Sequence, residues 1–424
     1  MSRRWMFHVY NGFVLLALPL IALWVLLRWR RRVFKKGLHR WSERCGILPP
    51  EFQNRLQKGE RWWWVHAVSV GEVKAIEKFL QRAPEHAHVH VLLSAVTPEA
   101  LIWATERRLA DQVIAAPIDL PWFVRRVFRS VKPELFISVE SEFWPNLLGE
   151  AKRSGARVAL INGRLSQRSF ESYQKITGVM QALWDCFDLW AVREAQDAER
   201  FQALGVPSDR LRVTGNLKYD LLVEDDPPPP EVAPHSPVIV IGSSREGEEL
   251  LLVPVLLNLR GEWPDLRVIW APRHVERVSE VERMLLSKGL VVQRKSRPGG
   301  PGEANDILWD TMGDLLDAYR QADIAIVGGS FVPRGGQNPI EPAALRRPVV
   351  FGPSMENFHG IAERLVNHGG ARQVSLEKLG ACLSELLSRP QGRQKMGECA
   401  RQVVERHQGA TEKTLQLLEG LQRG

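Results

Sequence analysis

Only four of the 424 residues are cysteine, and Cys45, Cys186, Cys382 and Cys399 form neither a CxxC pair nor metal-ligand spacing. Neither a disulfide framework nor a zinc site is thereby indicated, and a reducing compartment is expected. The chain has no GxxxxGK(S/T) loop and no GxGxxG after its first candidate strand, which sets aside P-loop hydrolases and the usual dinucleotide fold. It has no short-period repeat and no low-complexity tract beyond one run of prolines. Acidic residues are missing altogether from positions 1–40, where nine basic residues stand: Arg3, Arg4, Arg28, Arg30, Arg31, Arg32, Lys35, Lys36 and Arg40.

That last absence explains the overall charge. The chain carries 57 Lys and Arg against 49 Asp and Glu, a formal charge of +8. With nine of the basic groups in the first forty residues, the other 384 hold 48 basic and 49 acidic groups and are balanced. The basic excess therefore points to anionic membrane lipids at one end and not to nucleic acid. Hydrophobic residues at 44% and charged residues at 25% match an ordinary globular protein. The length allows two or three domains.

Phe13 to Leu27 is fifteen residues without a polar side chain, and the stretch reaches 23 if it starts at Trp5 and tolerates His8, Asn11 and Gly12. A bilayer core needs about 20 helical residues, so the longer version suffices and the shorter does not. Six basic residues follow at once, against two before, which puts the downstream side in the cytoplasm. Trp5, Tyr10, Trp24 and Trp29 bracket the run like interfacial anchors. A retained N-terminal anchor, spanning or monotopic, is expected over residues 1–36; a cleaved signal is the rival, but no small-residue cleavage site follows.

Beyond it, Val- and Ile-rich runs alternate with amphipathic stretches, the pattern of a doubly wound α/β protein. Strands are predicted over 62–68, 88–96, 134–140, 157–163, 189–192 and 212–216. The Pro-rich segment 224–237 reads as an exposed linker. A second series follows at 238–244, 267–272, 290–296, 306–311, 323–330 and 347–353, then helices from about Ser375 to Leu421 with a break at Arg389-Pro390. The expected domains are 37–223 and 238–424, two α/β halves with a ligand cleft between them.

Several motifs fall where strands end. In HAVSVGE (66–72), Glu72 enters the first turn of a helix, either as a general base or as a carboxylate complementing the helix dipole. ESEFWPN (140–146) carries Glu140 and Glu142, which strand alternation would place on one face as an acid and base pair, unless they are ordinary helix-start carboxylates. GNLKYD (215–220) offers Lys218 to an anionic leaving group or to solvent. In the second half, VGGSFVPRGGQNPIEPAA (327–344) suggests an anion cradle of N–H groups at Gly335, Gly336 and the helix start, with Glu341 for ribose hydroxyls. GSSREGEE (242–249) is a further candidate for phosphate, and APRH (271–274) supplies Arg273 as a cation.

The ordered series HAVSVGE, ESEFWPN, INGRLSQRSFESY, RFQALGV, GNLKYD, GSSREGEE, APRHVER, MGDLLDAY, VGGSFVPRGGQNPIEPAA and FGPSMENF resembles the 3-deoxy-D-manno-octulosonic acid (Kdo) transferases of lipopolysaccharide synthesis, over roughly residues 40–375. The resemblance implies a GT-B glycosyltransferase fold of two Rossmann-like domains and transfer of Kdo from CMP-Kdo to a lipid A precursor, with inversion and without metal or other cofactor. It implies an anchored enzyme on the cytoplasmic face of the inner membrane. Carried over by motif, Glu72 resembles the general base, and Glu140 and Lys218 the groups that stabilise the transition state. Pro272, Arg273, Met312, Gly313, Asp314, Asn338, Pro339, Ile340 and Glu341 resemble the CMP site. Arg245 and Gln337 stand where the family usually has His, Asp314 where it has Glu, and VLLSAVTPEA (91–100) lacks the family's TxTxTG element. Another GT-B enzyme using a UDP-sugar, or a non-catalytic anchored lipid-binding scaffold, are the alternative expectations.

Overall fold

The computed structural model describes residues 40–56, 59–222, 236–297, 305–311 and 313–423, with 6, 7, 9–12, 14 and 16 near the amino terminus. The chain divides into two compact units, Met1–Leu221 with Gln408–Gly424, and Leu222–His407. Of the predicted anchor's apolar run, only residues 14 and 16 are described, and the Pro-rich linker lies outside the described residues as far as 235. No described helix is long and apolar enough to cross a membrane.

The first unit is built on a sheet of seven parallel strands: β1 Trp62–Ala67, β2 His90–Ala95, β3 Gln112–Ala115, β4 Leu135–Val139, β5 Arg157–Gly163, β6 Leu189–Val192 and β7 Leu211–Val213, in the order β3-β2-β1-β4-β5-β6-β7. β1 lies between β2 and β4. The strand order reverses there, at the crevice where open α/β sheets take their ligands. All six residues of β1 are buried, because helices cover both faces. Trp62 and Trp64 enter one apolar cluster with Phe128 and Phe136, while Trp63, Val65 and Ala67 enter another with Leu93 and Ile137. Met6 is buried in the first cluster, and Phe7 packs on the helix Pro145–Arg153 at Gly149. Asn146 Nδ2 donates to Asn11 Oδ1 at 2.8 Å. The residues that would lengthen the apolar run toward 23 are thus partly packed against this unit.

The second unit repeats the plan with β8 Val238–Ser244, β9 Arg267–Pro272, β10 Val292–Arg294, β11 Asp306–Leu308, β12 Ile324–Val327, β13 Val349–Phe351 and β14 Ala371–Gln373, in the order β10-β11-β9-β8-β12-β13-β14. Its reversal falls between β8 and β12. The two strand ends approach so closely that a Cβ on Gly328 would lie 2.6 Å from the Ser243 carbonyl carbon.

One domain boundary needs correction. The expected second domain, 238–424, keeps the helices Leu376–Ser388 and Pro390–Glu405, but the last helix, Ala410–Arg423, belongs to the first unit. Ala410, Leu415 and Leu418 are buried in that unit's second cluster. Asp220 holds the helix start, accepting from Gly409 N at 2.7 Å and Thr411 N at 2.5 Å. His86 meets Glu419 at 2.8 Å and Glu412 at 3.1 Å. Asp220→Ala removes this cap and is expected to cost the first unit about 1–2 kcal/mol, read as a lower urea midpoint.

Candidate active site

At the carboxyl end of β1 the chain turns at Ser69, which caps the helix Val70–Ala75. Glu72 folds back over this turn. Its Oε2 accepts from Val68 N at 2.7 Å, and its Oε1 from Ser69 Oγ at 3.0 Å. This is the helix-start role that one reading of the motif foresaw, but it does not describe the group's chemistry. Burial pushes the Glu72 carboxyl up to about 7, the charges of Glu142 and Glu140 push the same way, and the Val68 and Ser69 hydrogen bonds only partly offset them. A carboxyl half ionised near neutral pH is poised to accept a proton.

Glu140 lies one residue beyond β4, in the left-handed region at φ 60°. The expected pairing of Glu140 with Glu142 by strand alternation does not hold, because β4 stops at Val139 and the backbone bends there. The two carboxylates find different partners. Arg193 binds Glu140 Oε1, Lys218 Nζ lies 3.7 Å from the same oxygen and Arg164 Nε lies 3.6 Å from Oε2. Burial alone would raise the Glu140 carboxyl, but these three cations hold it below the usual carboxylate range. Glu142 instead accepts from Trp144 Nε1 at 2.8 Å, and burial pushes it up, with the charge of Glu140 adding to the effect.

Lys218 is in a short 3-10 helix, Leu217–Leu222, with its side chain 20% exposed. The turn is set by Asn162 at the end of β5, whose Oδ1 accepts from Leu217 N at 3.1 Å. Arg193 Nε donates to Asn162 O at 3.2 Å, so β5, β6 and the Lys218 turn are tied together behind Glu140. Sequence reasoning missed Arg164 and Arg193. Both follow strand ends, in INGR and AVRE, which is the signal that could have found them.

His66, the other titratable group of its motif, cannot share the role of Glu72. It is buried in β1 with Nδ1 2.9 Å from Ser94 Oγ, and burial lowers its pKa to about 4. It is neutral at working pH.

In the second unit the carboxyl edge of the sheet is organised by a residue that the motif reading did not single out. Glu248 is fully buried and accepts four backbone N–H groups: Arg245 at 3.0 Å, Gly329 at 2.6 Å, Ser330 at 3.0 Å and Phe331 at 2.9 Å. Its neighbour Glu249 accepts from Ser244 Oγ at 2.8 Å and takes Arg277 through two bonds of 3.0 and 3.2 Å.

These bonds overturn two expectations. The N–H groups of GSSREGEE and VGGS that face this point are already used by Glu248. Gly335 N donates to Ser354 Oγ at 2.9 Å and Gly336 N to Gly329 O at 2.9 Å, so the diglycine does not form an open anion cradle. The loop spends those donors on closing upon itself. The next helix, Ile340–Ala344, is only five residues long, and Ile340 N donates to Asn338 Oδ1 at 3.1 Å.

The remaining predicted positions cluster along this edge. Pro272 ends β9, with Arg273 exposed just beyond it. Arg273 N donates to Ser244 O at 3.0 Å, which joins its loop to that of Arg245. Asn338 Nδ2 donates to Glu341 Oε1 at 3.3 Å, and Pro339 and Ile340 are buried beneath them. Asp314 leads into the helix Leu315–Arg320 after Gly313, and Met312 lies outside the described residues. Burial would raise Asp314, but Lys295, Thr311 and Trp309 together hold it low. Its oxygens are engaged within the unit, by Lys295, by Trp309 Nε1 at 2.9 Å and by Thr311 Oγ1 at 2.7 Å.

The family model described as 3-Deoxy-D-manno-octulosonic-acid transferase (kdotransferase) matches residues 39–221. The 3-deoxy-D-manno-octulosonic acid transferase of Haemophilus influenzae is 31% identical over 431 residues, covering 98% of each chain. That of Bordetella pertussis is 33% identical over 372 residues, 84% of this chain and 86% of the relative. Among solved structures, UDP-GlcNAc 2-epimerase from Neisseria meningitidis superposes with a TM-score of 0.60 at 15% identity, covering 84% of this chain and 99% of that one. A glycosyltransferase from Rickettsia africae gives 0.57 at 14% identity, over 84% and 97%. These two likenesses support the two-unit GT-B type of fold.

Proposed function

The chain belongs to the 3-deoxy-D-manno-octulosonic acid (Kdo) transferase family, and from that premise we propose that it transfers Kdo from CMP-Kdo to a hydroxyl of a lipid A precursor, with inversion. The observation that carries the mechanism is the placement of Glu72 at the carboxyl end of β1, with burial raising its carboxyl to about 7.

In this proposal the first unit activates the acceptor. Glu72 removes the hydroxyl proton as the oxygen attacks the anomeric carbon, and attack on one face with CMP leaving from the other inverts that carbon. Glu140 gathers three cations, Arg164, Arg193 and Lys218, around one carboxylate. Lys218 from that group stabilises the charge that develops on the departing phosphate. CMP departs as an anion, so the step needs no carboxylic acid to protonate it.

The second unit holds the nucleotide. Glu341 accepts from the ribose hydroxyls, with Asn338 orienting it; Pro272, Ile340 and Pro339 shape the surroundings, and Arg273 meets negative charge. Met312, Gly313 and Asp314 are proposed to flank the nucleotide on the motif alone. The proposal assigns charge neutralisation to side chains and requires no metal or other cofactor. We also propose that the basic N-terminal segment holds the enzyme on anionic lipids at the cytoplasmic face of the inner membrane.

The direct test is incubation of the full-length protein in lipid micelles with CMP-Kdo or UDP-sugars and a lipid A precursor. CMP release with a product heavier by one or more Kdo units is expected; hydrolysis of UDP-sugars alone, or no product, would sink the proposal. A base must be deprotonated, so turnover should rise about tenfold per pH unit below pH 7 and level off above it. A flat profile from pH 5.5 to 8.5 would remove Glu72 from that role.

A further inference from the structure

Three guanidinium groups at the carboxyl edge of the second sheet lack a carboxylate partner among the described residues. Arg277 has Glu249 and Glu280 within 3.3 Å. Arg245, Arg273 and Arg334 have no such ion pair among the described residues. Arg273 and Arg334 bear on Arg245 as like charges and, after burial, depress its pKa. The Glu248 carboxylate offsets this repulsion only in part, so bringing the three cations together costs free energy that a bound anion would return.

The local geometry holds Arg245 in place. Its backbone N–H is fixed by Glu248 at 3.0 Å, and its NH1 lies 2.9 Å from His274 Nε2. Guanidinium has no acceptor, so His274 Nε2 must accept, and the ring is neutral. The His274 pKa is lowered accordingly, first by burial and then by Arg245 and Arg273. Arg245 Nε is buried without a partner. Below it, a Cβ on Gly329, where φ is +68°, would come within 3.3 Å of Arg245 Cγ, so the arginine lies directly on the β12 loop.

The backbone offers an anion little help here, since the N–H groups of Arg245, Gly329, Ser330, Phe331, Gly335 and Gly336 are all bonded within the protein. We infer that Arg245 and Arg334 complete, with Arg273, a three-guanidinium subsite that grips an oxyanion of the donor, with His274 positioning Arg245 as a neutral acceptor. The inference rests on the transferase reading above. A CMP-linked Kdo has two such oxyanions, the phosphodiester and the sugar carboxylate, and guanidinium forks suit either. Arg245 stands where the resemblance gives His.

The test compares donor KM with CMP affinity by calorimetry in the wild type, Arg245→Ala and Arg334→Ala, with unfolding curves as the check on folding. Loss of a charge-assisted fork should raise donor KM about tenfold to hundredfold in Arg245→Ala. A parallel loss of CMP affinity assigns the phosphodiester; a rise in KM with CMP binding unchanged assigns the carboxylate. Arg245→Lys, which keeps the charge without the fork, should recover donor binding in part, which a merely structural arginine would not show. If neither KM nor CMP affinity moves in either alanine variant, the subsite is wrong. If the wild type binds CMP but transfers no Kdo, the transferase reading fails instead, and CMP affinity in the variants still decides whether the arginines meet phosphate.

Discussion

Glu72→Gln should lower turnover about 10³-fold while leaving CMP affinity unchanged, since positioned general bases contribute on this order. The amide can keep the geometry: its Oε1 can still accept from Val68 N and its Nε2 can donate to Ser69 Oγ. What it cannot do is take a proton. Stability gives an independent readout. The folded-state pKa of about 7 lies above the ordinary 4.5, so the folded protein binds the Glu72 proton more tightly than the unfolded chain does. The resulting stability is fully present below pH 4.5 and is lost as pH rises through 7. Glutamine has no such penalty, so the variant should unfold at higher urea than wild type at pH 8, with the advantage disappearing near pH 4. A variant that is inactive but no more stable at pH 8 would show that Glu72 is not held in the strained, raised-pKa state inferred for it.

Glu248→Gln should be the most damaging single change in the second unit. The carboxylate has four N–H donors aimed at it. An amide would turn its own NH₂ toward some of them, and each buried N–H left without an acceptor costs roughly 1–3 kcal/mol. Because the two units need not unfold together, the measurement should be local. Amide exchange at Gly329, Ser330 and Phe331 is expected to accelerate about a hundredfold or more, tenfold for each 1.4 kcal/mol, with the core of the first unit unaffected. CMP affinity should fall with it, since Arg245 hangs from the same carboxylate. Unchanged protection at these three amides would refute the clamp.

The contrast between these two glutamates shows what could be read from the sequence. Glu72 was legible because it follows a strand end and begins a helix, and that position is local. Its raised pKa was not, since it depends on burial and on Glu140 and Glu142, some seventy residues away. Glu248 sits in the same kind of place, yet GEE at a helix start reads only as a complement to the helix dipole. Three of its four donors come from the β12 loop, and no spacing rule connects them.

The same distinction applies to the fold. β1, β5, β6, β8 and β9 were legible as runs of Val, Ile, Leu and Trp, because interior parallel strands are covered on both faces. β3 and β14 were missed; each is a short edge strand, QVIA and ARQ, with one neighbour instead of two. The amphipathic pattern of Ala410–Arg423 announces that the helix has a buried face without saying which unit will bury it. The Arg193 and Lys218 grip on Glu140 likewise joins strand ends that only the sheet order brings together.

The buried position of Glu248 also bears on what the enzyme ignores. A loop rich in glycine at the end of a strand, with its N–H groups converging, ordinarily collects phosphate from its surroundings. Here the chain has filled that concavity with its own carboxylate. Free phosphate meets a spot that is already occupied, so the second unit should bind it poorly, and in the subsite proposed above recognition falls to arginines that favour a larger ligand touching several of them at once.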